Sequence, residues 1–436
     1  MPISKEQREH LRGNNVFPDT KTIAEFHFIS QTITLDTIDR SQFEGLNDIA
    51  SFSESRSAVA VIFHELTHWA DLVGSVWGRR LLREVYATLP ILGQLNNQGG
   101  ELEFWRMVSL HDRSRRLMFP AYYRTREGGQ DLGNPTEGSI EIAGGIEFDS
   151  LGRPDSQRPI LFVRFFGRDA STYVRQPLTV GSLIETLAVC SEFAATKDIV
   201  PPNDAVSKRI EADRSEADLK QLLNCTDLTL YTCCARMLSH FSGINDYGHI
   251  YNLAAKLAFI CLNLQKVHFY ALSPPALMAV WGKRNYASKT NLDPAFAFAA
   301  ICIAAGRYSS STGDDGWINH GLTRCCLPPS RKIFNQALNG MERERPLEHS
   351  AFSETGQYLL DAGYKIAAAR IAEPDPALTI GRAVQHRLPL PPLFGGLELG
   401  RLSFSTFDHS KFDAEFMFDA EWQLDKATRN FLSSCR

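Results

Sequence analysis

The sequence predicts an α+β fold that is predominantly helical, with a small β-sheet in the N-terminal half and a helical C-terminal half. Three observations predict it. Thr32-Ile33-Thr34-Leu35 alternates polar and apolar residues, as a half-buried strand does. The run Ala58-Val59-Ala60-Val61-Ile62-Phe63 continues into a segment that reads as helix. From Thr179 to about residue 385 the pattern stays mostly helical.

Taken in order, residues 22–38 read as strands. Ser51-Phe52-Ser53-Glu54 fits a capping box, in which a serine and a glutamate three residues later satisfy each other's backbone N–H groups. The helix it opens is expected from about Phe52 to Val73, ending at Gly74. A second helix is expected over Val76–Leu92, closed by Pro90 and the 96–100 loop, and a third over Glu101–Leu117. Arg113, Arg115 and Arg116 in the last turn of the third suit the negative end of a helix dipole and read as a solvated helix end. Ile140-Glu141-Ile142 and residues 160–166 read as two strands joined by turn chemistry at Gly152-Arg153-Pro154-Asp155. Asp293-Pro294 is a helix start, with the aspartate as cap and proline at the first position. Residues 309–316 read as an exposed, mobile loop, and the proline-rich stretch 388–396 as a stiff connector. The chain shows no internal repeat.

Bulk properties bound the function. A length of 436 residues suggests two or three domains, and 44% apolar with 22% charged residues is an ordinary globular balance. The net charge of −4 carries no electrostatic footprint for nucleic acid or a membrane surface. The longest apolar run, Ala295–Ala305, is too short to span a bilayer, and the first ten residues are polar, with none of the apolar core of a secretory signal. The nine cysteines are odd in number, scattered and without a C-x-x-C, so reduced core thiols in a cytoplasmic protein are expected.

The segment His64-Glu65-Leu66-Thr67-His68 carries the chemistry. Each helical residue turns by about 100°, so histidines four apart share a face and both reach one metal ion. Glu65 beside them is placed to act as general base on a water held there. The flanking residues are uncharged, and two histidines and a carboxylate are costly to bury unless something pairs with them. A catalytic zinc takes three protein ligands and keeps one position for water. The pattern H-E-x-x-H-x-x-G-x-x-H is absent, because position 71 is Asp and position 74 is Gly, so the third ligand is expected to be a carboxylate. Glu185 is a lone carboxylate in the apolar run 183–189, with the small residues Gly181 and Ala188 near it. Glu84 lies among Arg79, Arg80 and Arg83, where an ion-paired surface explains it. Glu101, Glu103 and Glu192 are the remaining candidates.

With these residues the stretch 20–200 resembles the gluzincins, zinc peptidases with H-E-x-x-H on one helix and a glutamate ligand on a later one. Within them it resembles uncharacterised bacterial H-E-x-x-H proteins with a Gly, an Ala and a second Glu around the ligand Glu; here these are Gly181, Glu185, Ala188 and Glu192. The resemblance implies a zincin-like metallopeptidase domain over 1–200 with a β-hairpin insertion near 138–167; the patterning of the rest of the chain adds a helical domain at 201–388 and a short C-terminal segment at 389–436. It implies Zn2+ held by His64, His68 and Glu185, with Glu65 as the general base that attacks peptide bonds through water. Thermolysin-like members carry an Asp four residues after the ligand Glu. Val189 stands there, so Asp71 or Glu192 is left to orient a ligand histidine. Tyr247 and His249 have the chemistry of oxyanion donors, but Asn245-Asp246-Tyr247-Gly248 also reads as a helix cap and turn. In zincins an edge strand beside the motif helix binds peptide by strand addition, a role open to the 22–38 strands. His27, His111, His240, His268, His320, His349, His386 and His409 form no ligand spacing and read as ordinary histidines; Tyr122-Tyr123 and Phe165-Phe166 read as core.

The functional expectation is therefore a zinc metallopeptidase acting on a peptide or protein, with no nucleic-acid or membrane partner, and with the helical C-terminal half available to a protein partner. Two alternatives stand beside it: a non-catalytic zincin-like binding or scaffold protein, and a metal-dependent hydrolase of a non-peptide substrate. The base Glu65 argues against a purely structural site, which needs none.

Overall fold

The computed structural model describes residues 20–21, 24–35, 56–93, 100–119, 123–126, 140–148, 153–166, 172–200, 204–373, 375–395 and 398–434. The fold is α+β and predominantly helical, as the sequence predicts. In chain order, β1 (Thr20–Lys21), β2 (Ala24–His27) and β3 (Thr32–Leu35) precede the motif helix α1 (Arg56–Gly74). Helix α2 (Val76–Thr88), a 3-10 turn (Leu89–Gly93) and α3 (Glu101–Arg115) follow. Next come β4 (Thr125–Arg126), β5 (Ile140–Phe148), β6 (Pro154–Phe166) and β7 (Thr172–Leu178). A long helical series then runs through α4 (Val180–Asp198), α5 (Ala205–Asn224), α6 (Thr229–Ser242), α7 (Tyr247–Leu262), α8 (Lys266–Ala271), α9 (Lys283–Thr290), α10 (Pro294–Ala305), α11 (Gly313–Arg324), α12 (Ser330–Glu342), α13 (Ser353–Ala372) and α14 (Ile380–Gln385), with one further 3-10 turn at Ala276–Trp281. The chain closes with β8 (Leu393–Gly395), β9 (Glu398–Gly400) and α15 (Ala414–Ser434).

By packing, the chain divides into two compact units, each discontinuous in sequence. The first comprises Met1–Leu117, Ser191–Asn203 and Gly340–Arg436; the second comprises Met118–Cys190 and Asp204–Asn339. Helix α4 is one unbroken element whose early part is counted in the second unit and whose part from Ser191 is counted in the first.

In the first unit a five-stranded sheet runs in the order β1-β2-β3-β8-β9, with β3 and β8 parallel and the other pairs antiparallel. The motif helix packs on β2 and β3, and every residue from Ile62 to Gly74 is buried. This explains the uncharged flanks of the motif: the helix is a core element. Helix α13 packs along α1 so closely that a Cβ on Gly363 would lie 1.9 Å from the Val73 carbonyl oxygen, so only glycine fits there. Ser75 alone separates α1 from α2. Its hydroxyl donates to the Asp71 carbonyl (2.6 Å) and accepts from the Gly78 N–H (3.0 Å), ending one helix and capping the next. A Cβ on Gly78 would meet the Leu72 and Asp71 carbonyl oxygens at 2.2 and 2.4 Å, so the sharp corner requires glycine too.

The second unit is built on a four-stranded antiparallel sheet, order β4-β7-β6-β5, and the helices from α5 to α11. Tyr123, Ile160 and Phe162 form a small core on the sheet. Helix α10 is buried along nearly its whole length, and Asp293 caps it by accepting from the Ala295 N–H at 2.9 Å.

Several sequence expectations change. The capping box at 51–54 lies outside the described residues, as do most of the 96–100 loop, the hairpin turn up to Gly152 and Tyr122. The second helix ends at Thr88, where Leu89–Gly93 tightens to a 3-10 turn around Pro90. The 140–166 strands gain a third partner, β7, whose Pro177 is paired opposite Phe162. The loop reading of 309–316 holds only to Thr312, because Gly313-Asp314-Asp315-Gly316 forms the first turn of α11. The stretch 388–396 is more than a connector, because Leu393–Gly395 completes a parallel pairing with β3. The expectation of buried thiols fails at Cys326, which is exposed, and Cys225 is half-buried. No described helix is long and apolar enough to cross a membrane.

Candidate metal centre

Helix α1 places His64, Glu65 and His68 in the core, 8%, 1% and 0% exposed. Their spacing puts the two imidazoles on one face, with ring centroids 4.9 Å apart and the rings nearly perpendicular at 84°. Helix α4 supplies Glu185, which is fully buried among Leu183, Ile184, Leu187 and Ala188. Thr179 and Ser182 cap the start of this helix reciprocally, each hydroxyl accepting from the other's N–H at 3.3 Å. One donor atom from each of His64, His68 and Glu185 lies within 4.8 Å of the others, and together they could hold a metal ion. Among the described residues no second such group occurs.

The donor set fits a zinc-type ion. Two imidazoles and one carboxylate are ligands such an ion accepts, and tetrahedral donors about 2.0 Å from it stand roughly 3.3 Å apart. The three donor atoms, within 4.8 Å of one another, stand at most about 1.5 Å wider than that spacing. Two neighbours constrain these side chains. Phe26 of β2 stacks over His68, with centroids 6.4 Å apart at 28°. Glu192, two turns after Glu185 on the same helix, brings Oε2 to 3.4 Å from His64 Nδ1. A carboxylate there favours a proton on Nδ1 and leaves Nε2 to bind a metal. The His64 side chain is 10% exposed and that of Glu192 is 32% exposed, so solvent reaches the centre from this side.

Asp71 lies three residues after His68 and is fully buried in an ion pair with Arg370 of α13, Nη1 to Oδ1 at 2.6 Å. Burial pushes the Asp71 carboxyl above its ordinary range, against the opposing pull of Arg370 and of His68. Of the two residues left by the sequence to orient a ligand histidine, Glu192 thus contacts His64, whereas Asp71 is engaged by Arg370.

The other candidates stand elsewhere. Glu84 is ion-paired to Arg113 of α3, which accounts for both residues at the surface, and burial raises its carboxyl. Glu101 is exposed and Glu103 half-buried, and neither belongs to the metal-capable group. Asp246 caps α7 by accepting from the His249 N–H (2.6 Å), so the cap-and-turn reading of 245–248 holds. The His249 ring meets Asp314 (2.7 Å), which also accepts from Lys256 (2.8 Å) and Tyr308 (3.2 Å). Strands β2 and β3 are paired on both sides, so neither offers the free edge that strand addition needs. Tyr123 and Phe165 are core residues, as expected, while Phe166 is half-buried.

Two features escaped the sequence reading. His27 is no ordinary histidine: it is buried with Glu25 and Glu421 at 4.0 and 3.9 Å and Thr34 at 3.2 Å. Arg370 is a lone cation in the apolar run 366–372, the same signal that marks Glu185.

In comparisons with known proteins, the chain matches no family model, no curated protein and no solved structure.

Proposed function

We propose that this chain is a zinc-dependent metallopeptidase of gluzincin type, hydrolysing peptide bonds with Glu65 as general base. One observation carries the reading: two histidines and a glutamate from separate helices converge in the core beside a carboxylate with the spacing of a hydrolytic base. Zinc, when bound, supplies Lewis acidity for the scissile carbonyl and for a water. His64, His68 and Glu185 are the residues that would hold it. The Glu65 carboxylate positions the attacking water, accepts its proton and returns that proton to the leaving amine. Glu192 keeps the His64 ring in one tautomer and orientation. The buried apolar flanks of α1 lower the local dielectric, which strengthens each of these interactions.

The test is hydrolysis of a mixed fluorogenic peptide library by zinc-loaded protein, with an ester series in parallel. Glu65→Gln is expected to keep its zinc and lose turnover by roughly 10²–10⁴-fold. Zinc-bound protein whose turnover survives Glu65→Gln contradicts the assignment. Cleavage of esters but not peptides moves the reading to a non-peptide hydrolase.

A further inference from the structure

Residues His64, His68 and Asp71 form one stripe on α1. At about 100° per residue, Asp71 falls within roughly 20° of His64 around the helix axis. A carboxylate next in line after two histidine ligands is a natural fourth ligand, and four protein ligands make a closed, structural site. Asp71 nevertheless stands outside the group of converging donor atoms. Arg370 accounts for this. Its Nη1 donates to Asp71 Oδ1 at 2.6 Å and its Nε to the Pro376 carbonyl at 2.8 Å, so the guanidinium is held at both ends. Both side chains are fully buried. The desolvation of a buried ion pair can exceed its attraction, so the pair is weak evidence of stabilisation and its position is the more informative feature. The tight contact of α13 on α1 at Gly363 fixes the helix that carries Arg370. Asp71 Oδ2 accepts no hydrogen bond among the described residues, so Arg370 is its principal restraint.

We propose that Arg370 is a positioning residue of the metal centre, holding Asp71 withdrawn so that the stripe supplies two ligands and the ion's fourth position stays open. The inference rests on the metal-binding reading above. It makes α13 and Pro376, far from the motif in sequence, part of the support of the site.

The test uses Co2+ as the probe ion and acetohydroxamate as a ligand for the open position, read by visible absorption. Wild type is expected to bind one Co2+ and to change its spectrum on adding acetohydroxamate. Arg370→Met is expected to keep Co2+ but bind acetohydroxamate at least tenfold more weakly, because Asp71 now reaches the ion. The double variant Asp71→Asn/Arg370→Met is expected to recover the response, which a merely structural role for Arg370 does not predict. A wild-type response in Arg370→Met, or no recovery in the double variant, overturns the proposal. Where Arg370→Met fails to fold, Arg370→Lys carries the test. Its ammonium cannot grip Asp71 and Pro376 together, so an at least threefold weaker response is expected and an unchanged one is contradictory. Wild type that takes up no Co2+ defeats the metal reading itself, a distinct outcome.

Discussion

Several titratable side chains of this protein lie in its core. Glu65, His68, Asp71, Glu185, Arg370 and Glu421 are all almost wholly withdrawn from water. Glu421 shows what that costs. Burial pushes its carboxyl up to about 8, and the nearby Asp425 and Glu25 add to the rise, while the Ser30 N–H bond opposes it. The folded state thus holds a proton that the unfolded chain releases above the ordinary glutamate range near 4.5. Unfolding then releases a proton, so this contribution to stability is full below pH 4.5 and is lost as pH rises toward 8, at up to about 1.4 kcal/mol per pH unit. Urea midpoints at pH 5 and pH 8 should differ less in Glu421→Gln than in wild type; an equal difference contradicts the assignment. At this scale Glu185 was readable because a lone carboxylate in an apolar run needs a partner. Arg370 carried the same signature, but its partner Asp71 lies 299 residues away and nothing local names it. His27 was not readable, because alternation along a strand marks one face as solvent, and here α15 covers that face and all of β2 is buried.

Among the elements, the close contact of α1 with α13 is the one that supports the proposed centre. Gly363→Ala places a methyl against the Val73 backbone, so the helices must separate. Overpacking of this kind costs about 1–3 kcal/mol. The variant is expected to melt several degrees lower and to lose metal faster to a chelator; wild-type melting contradicts the packing described. The motif helix and α4 were legible from their apolar runs, and Asp293 from its cap chemistry. The strand β8 was not, because the three prolines of 388–392 read as a stiff, unpaired segment, and its partner β3 lies at the other end of the chain.

At the level of the whole molecule, the first unit is closed by the chain's last hundred residues. Helix α15 buries Met417, Phe418 and Leu424, and β8 pairs with β3 beside the motif helix. Deleting 389–436 is therefore expected to unfold the first unit, read as lost helical circular dichroism and aggregation. A soluble truncated protein with intact metal binding would show instead that this segment is dispensable. A sequential division could not anticipate this arrangement, because the pairings that join the two ends of the chain leave only short apolar runs in each.

The proposed centre rests on one metal ion shared by His64, His68 and Glu185. It is tested most directly by zinc content per chain in wild type and in His64→Ala, Glu185→Ala and Glu84→Ala. About one zinc is expected in wild type and in Glu84→Ala, whose glutamate serves an ion pair with Arg113, and none in the other two. Folded wild type that takes up no zinc, or Glu185→Ala that keeps it, would contradict it.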